Sequence, residues 1–494
     1  MAKEGSILLW VIYPFLFAVF PVLFLFNYNQ GEVRIADLVI PMVGVVVGAL
    51  ILFFLLRFIV KSCNKSGLIT LWFFVLFYSY SHVNSLIQSS WISGVGIGSL
   101  HISFQFLLAP LWVILFATCV MLVWRSHSDF TTVTRFLNGA AITAIIISVG
   151  SIAAHELTIP RQETTAGTPQ IIRGEEDSAS TSNANLPDIY YIILDAYTRQ
   201  DTLEDMGYDN SAFIHWLEAA GFYVADKSIS NYPSTEASLP STLNMRYLTP
   251  EDNNRLSSLW VDNEVARLLK SIGYQYIAIQ NANVPKELVG EADIGLAYRM
   301  GSMVGQNELM KYLLNNTALQ PLTTLYLQQF LDENDRQARL YSFDRLMEVP
   351  AISVPTFTYA HIALPHPPFL FDRNGNPPQS NVADWVNKDL TERLDAQYVE
   401  QVIFTNKKVV EVVTKILCDS TPTPIIIIQG DHGVYWGEGR GRYILNAYYL
   451  PGGGGEALYE SISPVNTFRV VFTKCFGADY GLLPDVYDAR GTTR

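Results

Sequence analysis

The sequence predicts two parts: an α-helical membrane domain with five transmembrane helices, and an α/β domain whose doubly wound sheet is mainly parallel. Five long apolar stretches occupy the front of the chain, at 7–26, 38–60, 68–87, 104–124 and 136–154. The remainder alternates short apolar runs with helical periodicities, which is typical of successive βαβ units. The predicted boundaries are therefore a membrane domain at 1–156, a linker at 157–186 and an α/β domain at 187–494.

Each apolar stretch is long enough to cross a bilayer, which takes ~20 apolar residues. The first resembles a signal peptide, but it lacks a small-residue cleavage site and further spans follow, so we interpret it as an anchor. Positive charge is uneven between the loops. One side carries six positive residues and the other only Arg34; the six are Lys3, Arg57, Lys61, Lys65, Arg125 and Arg135. This asymmetry predicts a cytoplasmic N-terminus and an extracytoplasmic α/β domain.

The linker, 157–186, is polar and rich in Thr, Ser, Ala and Pro, as expected of a tether. After it, apolar runs bounded by turn residues predict strands, and periodic segments predict helices. The predicted strands are 188–197, 222–225, 275–280, 356–364 and 425–430. The predicted helices are 211–221, 238–248, 262–274 and 393–418.

Composition excludes some functions. The net charge of −13 argues against a nucleic-acid partner. Two of the four cysteines, Cys418 and Cys475, lie in the outer domain, where a disulfide is permitted. The sequence leaves open whether they form one or remain two separate thiols.

Reactive side chains lie at four strand ends or helix starts of the α/β domain. In chain order they are Asp195 after "YYIIL", Thr235 in "NYPSTEASLP", His361 and His366 in "HIALPHPPF", and Asp431 and His432 after "IIIIQG". Taken one at a time, these have ordinary structural explanations, such as a helix cap, a loop histidine or a surface turn. Ligand sites of parallel α/β sheets lie at the carboxyl ends of the strands, where these residues fall.

Together the side chains fit one chemistry. Two carboxylates, an imidazole and a hydroxyl form an oxygen-rich site for a divalent cation. Such a cation activates a hydroxyl as nucleophile and offsets the negative charge of a phosphate or sulfate ester. One imidazole among oxygens favours Zn²⁺ or Mn²⁺, with Mg²⁺ and Ca²⁺ left open.

Residues 187–494 resemble the alkaline phosphatase superfamily, in its sulfatase-like branch. The resemblance rests on "YYIILDAYTR", "NYPSTEASLPS", "HIALPHPPF", "IIIIQGDHG" and "ISPVNTFR". A five-span front before an outer catalytic domain is similar to lipoteichoic acid synthases and lipid A phosphoethanolamine transferases. The resemblance implies a bacterial inner-membrane enzyme that transfers a phosphate-bearing head group. The donor would be a membrane phospholipid and the acceptor a surface glycan or lipid.

The resemblance also implies roles for single residues. Thr235 matches the nucleophile, and it would ligate the metal together with Asp195, Asp431 and His432. His366 matches a substrate-side histidine that acts on the leaving group. His361 and the two arginines of "GEGRGRY", Arg440 and Arg442, are predicted to contact substrate.

This chain departs from the sulfatases in one motif and from the head-group transferases in another. "STEASLPST" lacks the C-x-P-x-R type pattern of true sulfatases, which disfavours sulfate hydrolysis. The head-group transferases also carry a later histidine, whereas none follows His432 here. Arg440 and Arg442 take over its role, or the acceptor differs. The alternatives are a hydrolase or phosphodiesterase that uses water as acceptor, and a non-catalytic envelope scaffold.

Overall fold

The computed structural model describes residues 11–29, 35–89, 94–97, 100–158, 186–280, 288, 291–298, 308–378, 390–452 and 454–488. The chain divides into two compact units. The membrane unit comprises Met1–Glu163 and Arg299–Asp332, and the sheet unit comprises Thr164–Tyr298 and Glu333–Arg494. Nearly all of the predicted linker lies outside the described residues, as do the first residues of the first apolar stretch.

The membrane unit contains five apolar helices near its start. They are α1 (Tyr13–Tyr28), α2 (Val39–Val60), α3 (Cys63–Ser89), α4 (Phe104–Arg125) and α5 (Thr131–Thr158). Helices α2 to α5 are long and apolar enough to cross a membrane, whereas the described part of α1 has only 16 residues. A short antiparallel pair, β1 (Gly94–Ile97) and β2 (Leu100–Ser103), separates α3 from α4. The predicted helical membrane domain is confirmed.

Helix α1 is buried along much of its length. Its side chains Tyr13, Ala18, Val22 and Phe26 are buried, although its sequence is apolar on all sides. The side-chain oxygen of Asn138 on α5 accepts hydrogen bonds from the amides of Ile12 and Tyr13, at 3.2 and 2.9 Å. These bonds satisfy donors that a helix start otherwise leaves without partners.

The sheet unit is built on a seven-stranded mixed sheet with the order β4-β9-β8-β3-β7-β5-β6. Its strands are β3 (Ile189–Leu194), β4 (Tyr223–Val224), β5 (Gln275–Gln280), β6 (Ile294–Ala297), β7 (Thr356–Ile362), β8 (Ile425–Gly430) and β9 (Asn446–Tyr449). Four of the six pairings among these strands are parallel, and the two that involve β9 are antiparallel. The prediction of a mainly parallel sheet is confirmed, with an antiparallel edge added to it.

Helices cover both faces of this sheet. They are α6 (Gln200–Asp205), α7 (Ser211–Ala219), α8 (Thr235–Leu243), α9 (Leu256–Val261), α10 (Glu264–Ser271), α13 (Gln328–Glu348), α14 (Leu390–Asp419) and α15 (Pro464–Phe476). Two further helices, α11 (Glu308–Asn315) and α12 (Gln320–Leu322), belong to the membrane unit. The central strand β3 alternates between two apolar clusters. Tyr190 and Ile192 enter one, and Tyr191 and Ile193 enter the other. A strand buried on both faces accounts for its unbroken apolar sequence.

A segment from the C-terminal half of the chain belongs to the membrane unit. Helices α11 and α12, followed by a π-helical turn at Thr323–Leu327, lie in sequence between β6 and α13 of the sheet. Leu309 and Leu313 of α11 pack with Val22 and Phe26 of α1. The α/β domain was predicted to run without interruption from 187 to 494, and the structure adds this insertion.

Candidate active site

Strand register brings the predicted site residues together. Leu194 at the end of β3 lies opposite Ile362 of β7 on one side and Gly430 of β8 on the other. Because the strands are parallel, Asp195 and Asp431 leave the sheet at the same level and on neighbouring strands. His361 lies one residue before the end of β7, opposite Ile193.

The two carboxylate oxygens of Asp431 have different surroundings. Its Oδ1 accepts hydrogen bonds from the amides of Ala196 (3.0 Å) and His432 (2.9 Å). Its Oδ2 accepts one from the hydroxyl of Thr235 at 2.6 Å. The backbone therefore orients the carboxylate through one oxygen and leaves the other directed at the predicted nucleophile.

Thr235 is the first residue of α8 and is half-buried. Its Oγ1 lies 3.2 Å from Nε2 of His432, in addition to its bond with Asp431. Amides in the first turn of a helix lack intrahelical partners and favour an anionic ligand. The threonine hydroxyl thus lies between the acidic cluster and a helix end that suits a phosphate.

The remaining groups form a tight, buried cluster with Asp431. Oδ1 of Asp195 lies 3.6 Å from Nε2 of His432, and its Oδ2 lies 3.5 Å from Nε2 of His361. Asp195, Asp431 and His432 each offer a ligand atom within 4.8 Å of the others. His361 is fully buried, and its Nε2 lies 4.0 Å from Oδ2 of Asp431.

The donor set of this cluster fits a metal ion. Within the described part of the chain, Oδ1 of Asp195 and both ring nitrogens of His361 have no hydrogen-bond partner although they are buried. Buried polar atoms without partners are costly, and a bound cation would satisfy the Asp195 oxygen and the lone pair of one His361 nitrogen. Nδ1 of His432 lies 2.7 Å from the carbonyl oxygen of Gly433. A proton on Nδ1 leaves the Nε2 lone pair directed toward the cluster.

The electrostatics point the same way. Burial lowers the pKa of His432, but the charges of Asp431 and Asp195 outweigh it, so the pKa lies above its ordinary value. Burial also lowers the pKa of His361, but its contact with Asp195 and the charges of the two carboxylates together outweigh burial, so this pKa too lies above its ordinary value. Burial raises the pKa of Asp195, yet the contact with His361 and the charges of the surrounding histidines bring it below its ordinary value. The site is therefore negative enough to favour a cation.

Local backbone geometry around the site depends on small residues. A Cβ added to Gly433 would lie 2.2 Å from the carbonyl oxygen of Arg440, and one added to Gly430 would lie 2.4 Å from that of Tyr197. Ala196 has a φ of 57°, a left-handed conformation that side chains rarely adopt. This turn aims the Ala196 amide at Asp431.

His366 lies at the rim of the cluster. It is partly exposed, and its ring centroid is 6.3 Å from that of His432 and 5.8 Å from that of Tyr435. Its amide donates to the carbonyl oxygen of Asp195 at 3.1 Å. The loop after β7 is thereby tied to the end of β3, and the imidazole remains accessible from solvent.

The two arginines of "GEGRGRY" differ in their surroundings. Nη1 of Arg440 lies 3.0 Å from both carboxylate oxygens of Asp395, which also accepts a hydrogen bond from the indole of Trp436. Arg442 is exposed, and its guanidinium lies 4.8 Å from the centroid of the Tyr443 ring. Arg440 is thus engaged by a carboxylate, whereas Arg442 faces solvent. A substrate contact by either arginine stays a prediction.

Sequence reasoning missed residues that support the site from behind. The hydroxyls of Ser230 and Ser238 both donate to the carbonyl oxygen of Asp431, at 2.7 and 2.6 Å. The buried Tyr398 accepts from the amide of Thr198 and donates to the carbonyl oxygen of Ala196, at 2.9 and 2.7 Å. Their spacing along the chain carries no signal of these contacts, because the partners are distant in sequence.

The four cysteines are free thiols in the structure, so Cys418 and Cys475 do not form a disulfide. Cys418 is exposed, and Cys475 is partly buried. Burial raises the pKa of the Cys475 thiol to about 11. The alternative of two separate thiols is the one observed.

No protein-family model matches the sequence, and no curated protein matches it. Solved structures to which the chain is similar include the C-terminal periplasmic domain of EcEptC from Escherichia coli in complex with Zn. That match has 15% identity and a TM-score of 0.39, and it covers 62% of this chain and 85% of that one. The soluble domain of lipooligosaccharide phosphoethanolamine transferase A from Neisseria meningitidis is also similar, at 17% identity and a TM-score of 0.39. That match covers 58% of this chain and 86% of that one.

A 2-O GAG sulfatase is also similar, at 13% identity and a TM-score of 0.39, over 62% of this chain and 73% of that one. These proteins are of the two kinds that the sequence motifs resemble. At such scores the similarity does not decide an activity. The geometry of the cluster around Asp431 supports the function proposed next.

Proposed function

We propose that this chain is a membrane-bound, metal-dependent phosphotransferase. It moves a phosphate-bearing head group from a phospholipid donor to a surface glycan or lipid through a covalent intermediate on Thr235. The observation that carries this proposal is the position of the Thr235 hydroxyl, 2.6 Å from Oδ2 of Asp431 and 3.2 Å from Nε2 of His432. A hydroxyl held by a metal-type cluster at a helix start is placed to become a nucleophile.

Asp195, Thr235, Asp431 and His432 would hold the metal ion, and the unsatisfied His361 lies beside them. Two carboxylates, an imidazole and a hydroxyl suit Zn²⁺ or Mn²⁺. When bound, the ion lowers the pKa of the Thr235 hydroxyl and offsets the charge of the phosphate.

In the first half-reaction, the oxygen of Thr235 forms a bond to phosphorus while the bond between phosphorus and the diacylglycerol oxygen breaks. The proton of Thr235 leaves as its oxygen attacks, and Asp431 is the acceptor nearest to it. His366 at the rim donates a proton to the departing diacylglycerol oxygen. The products are diacylglycerol and a phosphodiester on Thr235.

In the second half-reaction, a hydroxyl of the acceptor attacks the same phosphorus, and the bond to Thr235 breaks. His366, now neutral, takes the proton of the attacking hydroxyl, and Thr235 regains its own. Hydrolysis differs only in that water replaces the acceptor hydroxyl. Transfer and hydrolysis therefore use the same residues of this chain.

The proposed location is the bacterial inner membrane, with the sheet unit outside the cytoplasm. The insertion that contains α11 packs on the first turns of α2 and the last turns of α1, the ends next to the loop that carries Arg34 alone. Arg57, Lys61 and Lys65 lie at the opposite end of α2 and α3. The inserted segment thus packs at the end of the bundle with few positive charges, and this charge asymmetry supports an outer location for that end.

Mass spectrometry tests the intermediate directly. The purified full-length protein is incubated with total membrane phospholipids, quenched in acid and digested. We expect a head-group phosphate mass on the peptide that contains Thr235, and none on that peptide from Thr235→Ala. Adding glycan acceptor should discharge the adduct faster than water does. An adduct that water clears at the same rate would favour the hydrolase, and an adduct on another residue would refute this nucleophile.

The natural cysteines test the location. Cys418 is exposed in the sheet unit, and the raised pKa of Cys475 keeps that thiol unreactive. A membrane-impermeant maleimide should label the wild-type protein in intact cells, and Cys418→Ser should remove most of that label. Labelling of Cys418 only after lysis would place the sheet unit in the cytoplasm and exclude an outer-leaflet donor.

A further inference from the structure

The membrane unit contains an apolar groove of about 330 Å³ that the site chemistry does not use. Its walls come from α2, α3 and the inserted segment that begins with α11. Among the described residues that line it, none is charged, and two carry a hydroxyl. Tyr78 donates its hydroxyl to the carbonyl oxygen of Ala18 at 2.9 Å, and the Thr317 hydroxyl accepts from the amide of Leu319 at 3.3 Å. The groove therefore presents a hydrocarbon surface.

Two glycines form the floor of this groove. Gly44 and Gly48 lie one helical turn apart on α2, and a Cβ added to either would meet no atom within 4 Å. In membrane proteins, small residues at this spacing usually let a neighbouring helix approach closely. Within the described part of this chain the space above them is open, so the surface is available to another occupant.

The inserted segment is held firmly at the groove. The amide of Ala318 donates to the carbonyl oxygen of Phe77 at 2.8 Å, and the side chain of Asn84 donates to that of Gln320 at 3.2 Å. Leu313 and Leu314 of this segment line the groove together with Phe73 and Phe77 of α3. Residues from the catalytic half of the chain thus complete a groove on membrane-spanning helices.

The shape of the groove selects its occupant. The lining of α2 extends from Pro41 to Leu52, a rise of about 16 Å at 1.5 Å per residue. Counted out to its walls, the empty space of the groove is about 850 Å³, which over that length leaves a mean cross-section of about 50 Å², whereas a helix about 10 Å across needs about 80 Å². A hydrocarbon chain is about 4 Å across, by the contact distance between carbons, so an acyl chain fits in the groove and a helix does not.

The depth of the groove indicates where that chain comes from. Pro41 to Leu52 cover about half of α2, on the side of the bundle where the inserted segment is attached. Half of a bilayer core is about 15 Å thick, close to the length of the groove. In that region the abundant apolar molecules are the acyl chains of one leaflet.

We infer that this groove binds one acyl chain of a diacyl phospholipid from the outer leaflet, and that this lipid is the head-group donor. The inference rests on the proposed function for its second part only. Binding of the chain would retain the diacylglycerol portion on the membrane unit while its head group reacts. A lipid is then recognised by its chains as well as by its phosphate.

Photo-crosslinking in the full-length protein tests the binding. The protein is placed in nanodiscs of phosphatidylethanolamine and phosphatidylglycerol, with a trace of phosphatidylethanolamine that carries a diazirine on one acyl chain. We expect label to concentrate on the peptides of α2, α3 and α11 that line the groove, above the level on the exposed face of α5. Equal labelling of every lipid-facing helix would overturn the inference.

Variants that fill the groove with a side chain test the binding further, and a matched glycine outside the groove serves as their control. Gly44→Leu and Gly48→Leu put side chains into open space and improve helix propensity, so the fold should persist. Each should lower groove labelling toward the level on the exposed face of α5, because the new side chain occupies the space that the acyl chain would fill. Gly139→Leu on α5 is the control, because a Cβ there also meets nothing within 4 Å and Gly139 does not line the groove.

The rate at which the Thr235 adduct forms distinguishes binding of a lipid in the groove from use of that lipid as the head-group donor. We expect the filled variants to need more diacyl lipid than the wild-type protein for half-maximal adduct formation, with Gly139→Leu unchanged. Adduct formation at the wild-type rate in the filled variants would show that the bound lipid is not the donor. Groove labelling without any adduct in the wild-type protein would refute the transferase and leave the acyl site standing. If the filled variants fail to fold, the wild-type labelling map still decides the binding.

Discussion

The rim of the sheet and the groove of the membrane unit are sites of opposite construction. At the rim, single atoms matter: Oδ2 of Asp431 faces Thr235 at 2.6 Å, and Oδ1 is held by two amides. In the groove, no side chain is charged and the described lining hydroxyls are occupied elsewhere. A polar site depends on the presence of particular atoms, whereas an apolar one depends on area. Substitutions at the rim should therefore abolish activity almost completely. Substitutions in the groove should weaken lipid binding only in part.

The largest effect is expected from Thr235→Ala. It removes the proposed nucleophile, and loss of a nucleophile costs about 10⁶-fold in other enzymes that form a covalent intermediate. Turnover of phospholipid should become undetectable, while metal content stays near the wild-type value because Asp195, Asp431 and His432 remain. The matched control is Ser234→Ala, since that hydroxyl is buried beside Thr235 and has no hydrogen-bond partner in the described residues. Normal turnover in Thr235→Ala would move the nucleophile elsewhere.

Asp431→Asn and His432→Ala should follow in size. Each removes a predicted ligand, so metal affinity should fall by more than about 100-fold, the upper end of what changes around metal ligands cost. Elemental analysis after dialysis measures the loss, and activity should decline with it. His215→Ala on α7 is the control, because that histidine is exposed. A variant that retains its full metal stoichiometry would show that its residue is not a ligand.

Metal affinity should also depend on pH in one direction. A protonated imidazole cannot bind a metal, and the pKa values of His432 and His361 lie above the ordinary 6.5. Affinity should therefore rise with pH through those raised pKa values, and metal binding should release protons. Titration calorimetry between about pH 6 and pH 8 in two buffers of different ionisation enthalpy measures both quantities. An affinity that is constant across this range would show that neither histidine titrates against the metal.

A smaller effect, on stability, is expected from Gly433→Ala. The new methyl group would lie 2.2 Å from one carbonyl oxygen and 2.7 Å from another. Forcing that loop apart should cost about 1–3 kcal/mol of folding free energy, as overpacking does elsewhere. A thermal melt should show a lower Tm than the wild-type protein. Gly481→Ala should melt unchanged, because nothing lies within 4 Å of a Cβ there.

Several features of the site could be predicted because each depends on a short piece of sequence. The four isoleucines before Gly430 indicate a strand buried on both faces, and Asp431 and His432 must then lie at its end. The same reasoning applies to Asp195 after β3. The sequence predicts that helix α8 begins at 238, but it begins at Thr235, which places the proposed nucleophile in the first turn.

Other features could not be predicted because their partners are far apart in the chain. The bond between Thr235 and Asp431 joins residues 196 positions apart, and that between Ala196 and Asp431 joins residues 235 apart. Strands β6 and β9 are only four residues long, too short for a periodic signal. The engagement of Arg440 by Asp395 likewise has no local signature.

The apolar helices, the largely parallel sheet and the candidate site residues at the strand ends could be predicted from the amino-acid sequence. Hydrophobic length and periodicity are local properties, and strand ends follow from them. The positions of His361, fully buried beside Asp195, and of α11, packed with the membrane helices, could be read only from the folded chain. Both depend on which surfaces meet once the chain is folded. Strand register and apolar packing bring together residues that no local pattern relates.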